Sequence, residues 1–197
     1  MTIKTRAKSE VLPATFSYSQ ARQLGISAEL LYHMRDSGAI ETLSRGLYRR
    51  ADAPTIDWDL LEIAFRSRTA TLCLVTALSR HGLIDYIPSG IDIALPRGTR
   101  APSLFSASIR IHSFSRDTFH IGRETIKLEE HDLGIYSAER SIIDVIRLRH
   151  FQNSAFAWEA LRNWLKISGN TPAAILKMSK HFRGAEQPLR NALEILL

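Results

Sequence analysis

Apolar and polar positions along this chain fall into three successive textures. In the first, Ser17-Tyr18-Ser19-Gln20 has the Ser-x-x-Gln spacing of a capping box, in which hydroxyl and amide satisfy orphan backbone donors at a helix start. Gly25 stops that helix after about two turns, and Ser27 caps a second one that runs to Ser37 and ends at Gly38. Two short β-like runs, 40–43 and 47–49, flank Ser44-Arg45-Gly46, which is a hairpin signal. The predicted order is helix, tight turn, helix, hairpin.

Ala51-Asp52-Ala53-Pro54 is a short linker, and the texture then changes. Asp57 caps a helix carrying Leu60, Leu61, Ala64 and Phe65, and a second apolar helix is predicted from about 69 to 81. The segments 91–95 and 109–114 alternate at period two, and 125–128 and 134–136 read as further strands of a small sheet. From Ala138 the helical period returns in pieces near 138–150, 155–167, 171–183 and 185–196, with Thr171-Pro172 as a cap followed by proline at the first helical position. The expected fold class is α+β. An N-terminal winged helix-turn-helix over 1–52 precedes a larger C-terminal domain over 53–197, which holds a small mixed or antiparallel sheet and a helical bundle.

At 100° per residue, the helix after Ser27 places Leu30, Leu31 and Met34 on one face and Ala28, Glu29, Tyr32 and Asp36 opposite, with His33 and Arg35 flanking. Its apolar face is expected to dock on Ala21 and Leu24 and on Leu43, Leu47 and Tyr48 of the hairpin. A helix held this way can enter a major groove, because its first turn and outer face are free.

Charge sharpens that picture. The 197 residues hold 26 Lys+Arg against 20 Asp+Glu, a net +6. Residues 1–50 carry eight basic and four acidic side chains, whereas the remaining 147 residues are nearly balanced. The excess therefore sits with the helix-turn-helix, as a nucleic-acid-binding module requires. Ser27, Ala28 and Tyr32 are the candidates for bases or the adjacent backbone, and Arg35, Arg45, Arg49 and Arg50 for phosphates. The tail residues Lys4, Arg6 and Lys8 suit phosphate or minor-groove contacts. A protein-docking module is the alternative use of the same unit, and Glu29 and Asp36 on the outer face favour it.

Three groups of residues together resemble the AbiEi-type antitoxin family. The first is Gly25-Ile26-Ser27-Ala28-Glu29-Leu30-Leu31 with Asp36-Ser37-Gly38-Ala39-Ile40 and Ser44-Arg45-Gly46-Leu47-Tyr48. The second is Ala77-Leu78-Ser79-Arg80-His81-Gly82-Leu83 with Ile93-Ala94-Leu95-Pro96-Arg97-Gly98, similar to the family's "SALxxHGL" and "xIAxPRG". The third, Tyr136-Ser137-Ala138-Glu139-Arg140-Ser141-Ile142-Ile143-Asp144, is similar to its "DPERTxxD" turn, with Ser137-Ala138 in place of Asp-Pro. The resemblance implies a cytoplasmic antitoxin of a type IV, abortive-infection system that represses its own operon by binding inverted repeats in double-stranded DNA. It also implies a nucleotidyltransferase-like toxin as functional counterpart, opposed without a stable complex.

Chemistry of other kinds finds little support. Cys73 is the only cysteine and lies in an apolar run, so an intramolecular disulfide and a thiolate zinc cage are excluded, and a buried inert thiol is expected. No apolar stretch approaches a membrane span, and no P-loop, dinucleotide fingerprint, nucleophile elbow or HExxH motif occurs. His112, His120 and His131 lack the spacing of a metal site and are expected to have no carboxylate partner, and His81 reads as a polar helix end. Glu139 suits a first helical turn, while Arg140 and Asp144, four apart, suit an ion pair. The basic residues of the last helices, Arg147, Arg149, Lys177, Lys180, Arg183 and Arg190, read mainly as a solvated face. The chain is expected to be a non-enzyme without cofactor or metal. A metal-dependent nuclease using Asp92 and Glu124 is the competing reading from another class.

Overall fold

The computed structural model describes residues 11–102, 108–148 and 154–197. The N-terminal unit opens with a strand, β1 (Thr15–Ser17), which periodicity did not reveal because three residues are too few to show alternation. Helix α1 (Tyr18–Gln23) follows, with the capping box formed at both ends: Ser17 Oγ accepts from Gln20 N, and Gln20 Oε1 accepts from Ser17 N. Helix α2 (Ala28–Asp36) is capped by Ser27 and is followed by β2 (Ile40–Ser44) and β3 (Leu47–Arg50). The three strands form one antiparallel sheet in the order β1-β3-β2, with an irregularity between Thr42 and Ser44.

The core of this unit joins Leu12, Phe16, Ala21, Ile26, Leu31, Met34, Ile40 and Tyr48. Two expected packing partners behave differently. Leu24 is exposed, and Leu43 packs instead against the core beneath the next helix, α3 (Trp58–Arg66). The hairpin is thus shared between the small unit and the rest of the chain.

A helix expected from about residue 69 starts only at Leu74. Thr71–Leu72 form a strand, β4, and α4 spans Leu74–Arg80. The reason lies far off in sequence: β4 is the central strand of a five-stranded sheet, paired antiparallel to β5 (Ile91–Pro96) and parallel to β8 (His131–Tyr136). β6 (Ile109–Phe114) lies parallel to β5, and β7 (Arg123–Leu128) antiparallel to β8, giving a mixed sheet in the order β6-β5-β4-β8-β7. Residues 92–95 of β5 are buried on both faces, so the alternation in its sequence does not mark a solvent side.

Layers on both sides explain this. Leu60, Leu61, Ile63 and Ala64 of α3 pack with Leu72, Ile93, Leu95 and Ile135 on one face. The other face supports α4 and the helices α5 (Ala138–Arg147), α6 (Ser154–Leu165), α7 (Pro172–Ser179) and α8 (Glu186–Leu196), with Trp164, Ile175 and Leu189 in a larger core. Arg140 of α5 is fully buried within it. Its Nε donates to Asp144 at 2.8 Å, and one Nη donates to the carbonyls of Thr118 and Ile121, both at 2.8 Å. The guanidinium lies 4.2 Å from the Tyr136 ring centroid and 4.1 Å from that of Phe182. Asp144 also accepts from Arg147 at 2.7 Å. Gly122, at φ +67°, is required beside this group, since a Cβ there would stand 2.8 Å from the Arg140 Cβ.

Asp144→Ala leaves two guanidiniums without their shared carboxylate in a buried site, and is expected to destabilise the fold by about 3–5 kcal/mol in urea unfolding. Removing the exposed pair Lys127–Asp132 by Lys127→Ala is expected to cost under about 1 kcal/mol in the same assay.

Candidate nucleic-acid interface

The second helix of the helix-turn-helix, α2, buries Leu31 and Met34 and turns Glu29, Tyr32, His33, Arg35 and Asp36 outward. Its first turn is set by Ser27, whose Oγ accepts from Leu30 N at 3.1 Å, with Ala28 half-buried beside it. Tyr32 is 45% exposed, and the Arg35 guanidinium sits 5.0 Å from its ring centroid. Arg35 also pairs with Asp36 at 2.8 Å, which neutralises one of the two outer carboxylates. Beneath them, burial first and the neighbouring Tyr32 second push the Tyr48 phenol up. Tyr48 therefore stays neutral at physiological pH.

The wing tip presents Arg45 to solvent. Its backbone is fixed from the other unit: Arg66 of α3 donates to Ser44 Oγ at 2.9 Å and to the Arg45 carbonyl at 3.0 Å, while pairing with Glu62 at 2.9 Å. These bonds position the wing without using the Arg45 side chain.

The structure reassigns two of the arginines expected on phosphates. Arg49 is 3% exposed and donates to the Pro54 carbonyl and to Glu129. A guanidinium so enclosed has no surface left for DNA, and it ties the wing sheet to the β7–β8 turn. Glu129 completes the tie by accepting from Thr15 Oγ1 at 2.8 Å, and its backbone adopts a positive φ of 55°. Arg50 forms a two-pronged pair with Asp52, both contacts at 2.8 Å, and donates to the Leu12 carbonyl at 3.2 Å. It braces the base of the wing. Of the four arginines, Arg35 and Arg45 keep exposed side chains close to α2 and the wing tip. Lys4, Arg6 and Lys8 lie outside the described residues. Glu129 was not anticipated, because its partner Arg49 is 80 positions away and no local pattern marks it.

The acids of the nuclease reading are far apart and otherwise engaged. Asp92 has no exposed surface; its oxygens accept from Arg110 at 2.8 and 3.0 Å and from Thr76 at 3.3 Å, and His112 Nε2 lies 2.9 Å away. His112 therefore does have a carboxylate partner, one supplied by the adjacent strand. Burial opposes ionisation of Asp92, but hydrogen bonds from His112 and Arg110 outweigh it and hold the carboxyl below its usual range. Glu124 sits on β7, three strand spacings away, about 14 Å. Among the described residues no three His, Cys, Asp or Glu side chains are grouped to hold a metal ion. Elsewhere, His81 closes α4 with Nε2 at 2.7 Å from the Tyr136 carbonyl oxygen, and Glu139 accepts from Trp164 Nε1 at 3.1 Å. Cys73 is fully buried, and burial pushes its thiol well up. Lys177, Lys180, Arg183 and Arg190 are exposed, Arg190 pairing with Glu186, whereas Arg149 lies outside the described residues. No helix among the described residues is long and apolar enough to cross a membrane.

Residues 14–51, the segment that carries α1, α2 and the wing, match the family described as transcriptional regulator, AbiEi antitoxin. The whole chain is similar in fold to the crystal structure of the RV2827C protein from Mycobacterium tuberculosis, with a TM-score of 0.60 and 13% identity over 98% of this chain and 79% of that one. No curated protein matches the chain in sequence.

Glu129→Ala strips Arg49 of its carboxylate in a site only 4% exposed, and is expected to lower stability by about 2–4 kcal/mol in chemical denaturation. Asp92 stabilises the fold fully at neutral pH, and that contribution is lost as the pH falls through its lowered folded-state value. Asp92→Asn is accordingly expected to lower stability at pH 7 and to flatten the decline between pH 5 and pH 3 measured by thermal unfolding.

Proposed function

We propose that the chain is a cytoplasmic DNA-binding repressor of its own operon and the antitoxin of a type IV toxin–antitoxin pair, opposing a nucleotidyltransferase-like toxin without forming a stable complex with it. The observation that carries the DNA-binding half is the pairing of an outward α2 face, bearing Ser27, Ala28, Tyr32 and Arg35, with a wing tip whose backbone Arg66 holds in place. The match of residues 14–51 to a family of antitoxin regulators supports the rest. The division proposed is 1–52 for DNA and 53–197 for antitoxicity, with the two docked through Arg49–Glu129.

Charge on α2 itself is slight, because Arg35 faces Asp36 and Glu29 adds a further carboxylate. The helix is thus suited to reading base edges, with Ser27, Ala28 and Tyr32 nearest them. Phosphate attraction falls to Arg45, to Arg35 once the DNA displaces Asp36, and to the tail residues Lys4, Arg6 and Lys8. Inverted repeats in the promoter would be met by two copies of this unit.

The test is fluorescence anisotropy on the upstream promoter fragment across a salt series. Arg45→Ala is expected to weaken binding uniformly across sequences and to reduce the salt slope by about one. Tyr32→Ala is expected to erode discrimination between promoter and scrambled DNA with little change in slope. Absence of promoter binding by the wild-type chain at low salt would sink the DNA-binding reading and favour a protein-docking module. Growth rescue by residues 53–197 alone, in cells expressing the toxin of the adjacent gene, tests the antitoxin half.

A further inference from the structure

Beyond β5 and β6, at the end of the sheet where both strands finish, a cavity of about 440 Å³ opens between four separate segments. Arg68 and Thr69 come from the α3–β4 connection, Thr99 from the turn after β5, Arg116 and His120 from the connection after β6, and Arg123 from the start of β7. Phe119, only 2% exposed, also lines it. No carboxylate is among its lining residues.

Convergence separates this place from the rest of the surface, since Arg22, Arg45, Arg97, Arg100, Arg162 and Arg183 also pair with no carboxylate among the described residues but do not gather at one cavity with two other such arginines. Nine arginines among the described residues pair with carboxylates. Arg68, Arg116 and Arg123 pair with none among the described residues, although they converge on one cavity. Two of them are held from behind: Arg116 Nε donates to the Arg97 carbonyl at 2.8 Å, and Arg123 Nε donates to Thr71 Oγ1 at 2.9 Å. Each keeps its two Nη groups without a protein acceptor among the described residues. The course of Arg123 is built into the sheet, since a Cβ on Gly134 would stand 2.5 Å from its Nη2. Three like charges gathered without an acid repel one another, and an anion with several oxygens relieves that repulsion while matching the guanidinium forks.

We infer that this cavity binds a small phosphate-bearing ligand with a di- or triphosphate chain. Its volume lies in the range of small-molecule sites and exceeds what a single phosphate fills. A continuous nucleic-acid backbone fits less well. The adjoining cavity, which shares Arg68 and Arg123, is also lined by Glu130 and Asp132, whose carboxylates repel a polyanion extended in that direction.

Calorimetric titration of the full chain with tripolyphosphate, a nucleoside triphosphate and inorganic phosphate, at fixed ionic strength, tests the site. Saturable binding of tripolyphosphate or of the nucleotide is expected, weakened at least about tenfold by Arg68→Gln and by Arg116→Gln. Unchanged thermal unfolding of both variants shows that the fold persists, and Arg190→Gln, on the exposed face of α8, is expected to bind as the wild type does. Tighter binding of the nucleotide than of tripolyphosphate identifies a nucleotide as the source; equal binding identifies the phosphate chain alone. No saturable binding of any of the three, or equal affinity in the variants, overturns the inference. It is also overturned if the variants lose only affinity for duplex DNA.

Discussion

A guanidinium without exposed surface organises the larger part of this chain. Arg140 sits where α5, the Thr118–Ile121 segment, β8 and the α7–α8 connection meet, and it gives each of them something specific. The Asp144 carboxylate neutralises it, two backbone carbonyls find donors in it, and the Tyr136 and Phe182 rings cover its faces. A charge removed from water is costly unless such partners are all in place, so the arrangement tolerates little variation. One Nη of Arg140 nevertheless remains without a hydrogen bond among the described residues, covered by aromatic rings. The cation–π contacts are what offset that omission.

A second buried pair settles how the small unit meets the large one. Arg49 and Glu129 join the wing sheet to the β7–β8 turn, while Arg66 grips the wing tip from α3 and Leu43 reaches into the core beneath that helix. The linker at 51–54 is therefore crossed by contacts from both sides. For the small unit the consequence is geometric: α2 and the wing are presented at an orientation fixed by the larger unit. The basic residues divide accordingly, some bracing the wing from inside and others facing outward.

Local pattern was sufficient wherever the interaction that forms an element spans only a few residues. The Ser17–Gln20 capping box, the Ser27 cap, the hairpin about Arg45, the Thr171-Pro172 start of α7 and the Arg140–Asp144 spacing were all legible for that reason. The strand at Thr71–Leu72 was not, because two residues between apolar neighbours look the same in a helix and in a strand until β5 and β8 flank them. Nor was the partner of His112, since Asp92 lies 20 positions away and becomes its neighbour only through the parallel pairing of β5 with β6.

The sequence by itself determined the order of the longer elements, the α+β class, the inert thiol and the candidate outer face of α2, because each follows from spacing within a short stretch of chain, whereas the short strands β1 and β4 did not show. The tertiary structure decided which charges remain available. Arg35, Arg45, Arg49 and Arg50 are alike in composition, and the net +6 counts them equally. Burial against Glu129 and pairing with Asp52 withdraw two of them, while Arg68, Arg116 and Arg123, scattered in sequence, gather around one cavity. A charge acts through what surrounds it, and those surroundings come from segments that only folding brings together.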